Sequence, residues 1–69
     1  MSHPHILRCI EGCVRAVDGR GIGKNADALQ RRLLAEGSTP TIARMTADAA
    51  VAVAQVIRAA ATKAKGDAA

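Results

Sequence analysis

The side chains best suited to chemistry in this sequence lie near its start. His5, Cys9 and Cys13 follow one another at intervals of four residues, with His3 close by. On a helix, this spacing lines up soft metal ligands along one face. Eight residues of helix cover about 12 Å, however, so the three ligands cannot all reach one ion. We therefore expect no metal site, and we expect both cysteines to be free thiols buried on the core face of a helix.

A glycine-rich stretch, Gly19 to Lys24 (GRGIGK), invites comparison with phosphate-binding loops. A P-loop requires glycine, four residues, then Gly-Lys followed by Ser or Thr. Here Asp18 stands in place of the first glycine and Asn25 in place of the hydroxyl. The stretch therefore predicts a flexible turn and no nucleotide site. Since no nucleophile motif or catalytic carboxylate pair is present either, we expect neither an enzyme nor a cofactor.

The hydrophobic periodicity predicts an all-α fold in a single helical domain covering residues 1–69. Two short helices precede one long C-terminal helix, at about 3–18, 26–36 and 40–65. The last two helices are joined tightly enough to make a helical hairpin.

Capping residues set the expected helix ends. Asn25 is a suitable N-cap for the second helix and Gly37 a suitable C-terminal stop. Thr39 can cap the third helix, whose first residue, Pro40, lacks an N–H that would be unpaired there anyway. Gly12 interrupts the first helix, which indicates a close contact with another helix.

One face of the long helix is apolar enough to be buried. It consists of Ile42, Met45, Ala49, Val53, Val56 and Ala60. Alanines flank this stripe on both sides, and such edges let helix backbones approach closely. The 69-residue chain has no aromatic side chain, so its core alone would be marginal. We therefore predict a homodimer joined along this stripe, with a monomeric helical hairpin as the alternative.

The formal net charge is +4, and the basic residues are spread along the whole chain with acids between most of them. Such a surface permits binding to another protein or to nucleic acid without requiring either. The residues that we predict to contact a partner are Arg31, Arg32, Arg44, Val51 and Arg58. Polar residues interrupt the long helix too often for a membrane span. The N-terminal residues do not resemble a secretory signal, so we expect a cytoplasmic protein.

Residues 29–46 resemble a DNA-binding helix-turn-helix, with a first helix, a glycine turn and a second helix that carries Arg44. The match is imperfect, because Leu33 stands where that motif prefers a small residue and Ser38 where it prefers an apolar one. In this interpretation Arg31, Arg32 and Arg44 would contact phosphates. A small basic DNA-binding dimer is thus the alternative function.

The short chain, rich in alanine and arginine, and its capped hairpin at residues 25–45 (NADALQRRLLAEGSTPTIARM) resemble the small early proteins with which bacteriophages disable host functions. In length and character the chain is similar to the anti-quorum-sensing proteins of transposable Pseudomonas phages. This resemblance implies a non-enzymatic inhibitor that binds and sterically blocks a host quorum-sensing transcription regulator. In one member of the group, a type IV pilus assembly ATPase is a second target. The resemblance assigns a role to no individual residue.

Overall fold

The computed structural model describes the backbone of residues 3–16 and 18–68 and the side chains of residues 4–16 and 18–63. Within these ranges the chain is all-α, as predicted, and contains no strand. The helices are α1 (His3–Arg15), α2 (Gly19–Ala35) and α3 (Pro40–Ala68). Each helix contacts both others, so they form a three-helix bundle that includes the predicted α2–α3 hairpin. The side chain of His3 lies outside the described residues.

Helix α2 begins at Gly19 and not near residue 26, so the prediction of a flexible turn at Gly19 to Lys24 is wrong. The N-cap is Asp18, not Asn25, and its Oδ1 accepts a hydrogen bond of 2.9 Å from the Gly21 N–H. Such a cap stabilises a helix by about 1 kcal/mol. The packing of Ile22 against the core adds to this. Together they offset part of the roughly 1 kcal/mol that each glycine costs in a helix relative to alanine.

Helix α2 ends at Ala35, and Gly37 stops it, as predicted, in a Schellman motif. Gly37 has φ of 101°, a left-handed conformation that glycine adopts without a Cβ penalty. Its N–H donates to the Leu34 carbonyl over 3.1 Å, and the Ser38 N–H donates to the Leu33 carbonyl over 2.9 Å. The chain therefore reverses direction within a few residues.

Helix α3 begins as predicted. Thr39 Oγ1 accepts a hydrogen bond of 3.2 Å from the Ile42 N–H, and Pro40 is the first helical residue. The helix continues through Gly66 to Ala68 and does not end near residue 65. One glycine costs about 1 kcal/mol and does not by itself stop a helix.

The core of the bundle is made mainly of small side chains. Its buried members are Cys9, Cys13, Leu29, Leu33, Ala43, Ala47, Ala50 and Ala54. Helix α3 contributes only the alanines, which recur at helical spacing along one face. The apolar stripe from Ile42 to Ala60 therefore does not face this core and lies on the outside of the bundle. Alanine lets α3 lie close to the other two helices, whereas larger side chains would hold the helices apart.

Helices α1 and α2 meet at Gly12, which confirms the close contact predicted there. A Cβ on Gly12 would overlap the side-chain amide of Asn25, 2.6 Å from its Cγ. That amide is held in place because its Nδ2 donates a hydrogen bond of 2.8 Å to the Gly21 carbonyl. A Cβ on Gly21 would in turn lie 3.1 Å from the Cβ of Ala16. The crossing of the two helices depends on small residues from both.

We predict that Gly12→Ala lowers the free energy of unfolding by about 1–3 kcal/mol, because the new methyl group displaces Asn25 from its hydrogen bond. Gly23→Ala is the matched control: no atom lies within 4 Å of its added Cβ. That change should stabilise the protein by about 0.5–1 kcal/mol. In an Asn25→Ala background, Gly12→Ala should become neutral or stabilising. Urea unfolding followed by circular dichroism measures the free energy of unfolding of Gly12→Ala, Gly23→Ala, Asn25→Ala and the variant that combines Gly12→Ala with Asn25→Ala. Equal stabilisation by Gly12→Ala and Gly23→Ala would contradict the helix crossing described.

Candidate interaction surface

Helix α3 presents three different surfaces around its circumference. At 100° per residue, the buried alanines point in one direction, and the predicted stripe lies about 120° away from them. The third sector is polar and carries Arg44, Asp48, Gln55 and Arg58. We call the second sector the apolar strip: Ile42, Met45, Ala49, Val53, Val56, Ile57 and Ala60. Only the alanine sector contributes buried residues to the bundle.

The apolar strip is exposed along its whole length. Met45 and Val56 are 64% and 69% accessible, and Ile42 is 56% accessible. Val53 and Ile57 are 45% and 43% accessible. Isolated exposed apolar residues are normal on protein surfaces, but a continuous row of large ones usually marks a contact site.

The second half of α3 extends beyond the core. Among the side chains of α3 that the structure describes, the last buried one is Ala54, and all those from Gln55 to Lys63 are exposed. Arg58 ties this segment to the bundle: its Nη1 donates a hydrogen bond of 2.7 Å to the Ala16 carbonyl, just after the end of α1. A helical segment this short is marginally stable without packing on one of its faces.

The five residues predicted to contact a partner do not form a single patch. Arg31 and Arg32 are exposed near the end of α2, and Arg44 is exposed near the start of α3. These three lie on either side of the α2–α3 turn. Arg58 lies fourteen residues, or about 21 Å, further along α3 than Arg44. The two groups of arginines therefore belong to different ends of the bundle.

Three of these five residues also make contacts within the fold, and one of them is Arg32, whose Nε donates to His5 Nε2. Val51 was predicted to lie in an exposed apolar patch, but it is half-buried and packs against the core. Its angle on the helix lies within 90° of the buried alanine face, close enough for α1 or α2 to cover it. Arg58 donates to Ala16, as described above. Arg31 and Arg44 thus remain as the predicted residues that are exposed and take no part in these contacts.

The cysteines occupy the buried positions predicted for them. Cys9 Sγ donates to the Asn25 carbonyl over 3.4 Å, and Cys13 Sγ contacts the Ile22 carbonyl at 3.9 Å. Burial, with a smaller contribution from the neighbouring Cys13, raises the pKa of the Cys9 thiol to about 11. A thiol with so high a pKa is a poor nucleophile and a poor metal ligand near neutral pH.

Neither metal clusters nor membrane spans occur in the part of the chain that the structure describes. No three of its His, Cys, Asp or Glu side chains are grouped as metal ligands would be. None of its helices combines the length and apolar character required to cross a bilayer.

Comparison of the chain with protein-family models, curated proteins and solved structures gives no match. Its function must therefore be inferred from its own residues.

Sequence reasoning missed two features of this surface. The buried alanines recur at intervals of four, three and four residues, a signal that was present in the sequence but weaker than that of the larger apolar residues. The second feature is a bond of 3.1 Å from Arg32 Nε to His5 Nε2. It joins residues 27 positions apart and could be found only once α1 was placed beside α2.

We predict that Cys9 reacts slowly with a thiol reagent in the folded protein. A Cys13→Ala variant leaves Cys9 as the single thiol and keeps burial, the largest cause of its raised pKa. The unfolded chain, with the ordinary value of 9.0, has roughly one molecule in ten as thiolate at pH 8. Because burial lowers both the thiolate fraction and the access of the reagent, labelling with an aromatic disulfide should be at least about tenfold slower in buffer than in denaturant. Rates within tenfold of each other would show that the thiol is not buried as described.

Proposed function

We propose that this chain is a non-enzymatic protein-interaction module that acts as a homodimer, with two copies joined along the apolar strip of α3. The observation that carries the proposal is that α3 buries one apolar face and exposes another. The fold buries alanines and leaves Ile42, Met45 and Val56 more than half exposed. A second copy of the chain would give these side chains an apolar contact that the bundle does not provide.

The chemistry of the strip suits a symmetric pair of helices. Ile42 and Val56 alternate with the smaller Ala49 and Ala60 along it. Large residues of one helix can fit over small residues of the other, and the alanines allow close approach. A contact between two identical surfaces closes on itself and ends at the dimer.

The expected gain in free energy indicates a dimer of moderate affinity. Five strip side chains are between 43% and 69% accessible. At roughly 2 kcal/mol per fully buried side chain, covering them would contribute about 5 kcal/mol per protomer before costs. Association itself costs an estimated 4–15 kcal/mol. We therefore expect dimerisation to depend on concentration over the range from about 10 µM to 1 mM.

The dimer leaves the polar sector of α3 and the outer faces of α1 and α2 for a partner protein. Arg31, Arg32 and Arg44 are exposed there, and arginine is enriched at protein interfaces because its planar guanidinium makes several hydrogen bonds. The mechanism we propose is steric occlusion, which requires binding and no turnover. The resemblance to phage anti-quorum-sensing proteins implies a cytoplasmic host transcription regulator as the target, with a pilus assembly ATPase as a further one.

A DNA-binding dimer is the second candidate function. The observation in its favour is that Arg31, Arg32 and Arg44 flank a tight Schellman turn between two helices, as phosphate-contacting residues of a helix-turn-helix can. The two functions differ in salt dependence. Binding to DNA weakens steeply as salt rises, whereas a protein contact with an apolar centre persists at moderate salt.

We predict that Val56→Asp converts the dimer into a monomer, because the change would bury a carboxylate without a partner in the strip. Sedimentation equilibrium across the stated concentrations measures the mass. Gln55→Asp is the matched control, since it adds the same charge one residue away in the polar sector. It should leave the association constant within about threefold of the wild-type value. Equal association by the two variants would rule out the strip as the dimer contact.

We predict that Arg31→Ala combined with Arg32→Ala weakens capture of the partner protein from bacterial lysate by at least about tenfold. The matched control combines Arg20→Ala with Lys24→Ala, which removes the same charge from the other half of α2. Captured proteins are identified by mass spectrometry with and without nuclease. Recovery of one protein irrespective of nuclease, reduced only by the first pair, supports the inhibitor. Recovery lost on nuclease treatment supports the DNA-binding dimer instead.

A further inference from the structure

An open groove of about 340 Å³ lies between the start of α1 and the end of α2. The bonds from Arg32 to His5 and from Cys9 to Asn25 show that the two helices run antiparallel. The helices pack tightly at Gly12, and the groove lies between them on the side towards His5. This volume is at the lower end of the range typical of small-ligand sites.

Cationic side chains from both helices line the groove. Arg8 comes from α1 and Arg32 from α2, and His5 stands beside Arg32. The floor is apolar, formed in part by the buried Cys9 and Leu29. Two guanidinium groups, one from each helix, can therefore attract the same negative charge.

The charges of the two arginines are not neutralised by the described residues. No carboxylate among them lies within 4.0 Å of either guanidinium. Arg32 uses its Nε to donate to His5 Nε2 over 3.1 Å, a bond that orients the guanidinium without using its Nη groups. Glu36 Oε2 lies 3.9 Å from His5 Nε2, beyond hydrogen-bond distance. The local balance of formal charge therefore remains positive.

We infer that this groove is a binding site for a small oxyanion, the phosphate or carboxylate group of a small molecule. Guanidinium groups match both oxyanions in geometry, since each can present two parallel N–H donors to two oxygens. The floor at Leu29 accommodates a short apolar part of the same ligand. The inference is independent of the dimer, because the groove contains no residue of α3.

The test is an NMR titration of the intact protein, labelled with ¹⁵N, with inorganic phosphate and, separately, with citrate. Sodium chloride keeps the ionic strength constant. Saturable shifts should appear at the Arg32 Nε–H and the backbone amides of Cys9 and Asn25, with Kd on the order of 1 mM. The anion that binds with the lower Kd identifies the preferred oxyanion.

Four variants separate a built site from general attraction to a basic surface. Arg8→Gln together with Arg32→Gln should weaken binding at least about fivefold, and Arg8→Gln alone should show part of this loss. Arg31→Gln is the control, an exposed arginine next to Arg32 that does not line the groove, and it should change Kd by less than about twofold. Glu36→Gln should tighten binding about twofold by removing a negative charge beside His5.

Three results would overturn the inference. The first is a set of chemical-shift changes that rise linearly with anion concentration and occur at all cationic residues. The second is equal loss of binding in the Arg31 control and in the groove variants. The third is weaker binding by Glu36→Gln, since removing a nearby carboxylate must favour an anion bound in this groove.

Discussion

Close approach of the three helices is the constraint on which the rest of the structure depends. It requires small residues wherever the helices meet: Gly12 and Gly21 between α1 and α2, and a row of alanines from Ala43 to Ala54 on α3. Because the helices lie so near one another, the side chain of Asn25 fits over Gly12, and the cysteine thiols of α1 reach the carbonyls of α2. A core of this kind is well packed but buries little apolar area.

The same constraint places the larger apolar residues of α3 on the outside. The alanine face meets the other helices, so the face with Ile42, Met45 and Val56 has to point elsewhere. A bundle with a thin core and an uncovered apolar strip gains stability if the strip is covered, which is why a second copy enters the proposed function. The polar sector and the arginines near the α2–α3 turn stay accessible in that arrangement.

Much of the fold was readable from the sequence, and what was missed has a physical cause. Thr39, Pro40 and Gly37 predicted both sides of the α2–α3 turn because capping depends on local residues. The start of α2 was predicted too late, because three glycines outweighed the cap that Asp18 provides. The stripe was identified correctly as apolar, but its location inside or outside the core depends on which face of α3 packs against the other helices. Periodicity cannot decide that, because it measures apolar character and not closeness of packing.

The most direct test of the central claim is an isotope-filtered NOE experiment on an equimolar mixture of labelled and unlabelled protein at about 1 mM. It detects contacts between protomers and excludes those within one chain. The account predicts NOEs between protomers from the methyl groups of Ile42, Met45, Val53 and Val56, and none from Leu29 or Leu33, which the bundle already buries. A sample without such contacts at this concentration, or with contacts confined to other surfaces, would contradict the claim that the apolar strip joins two copies.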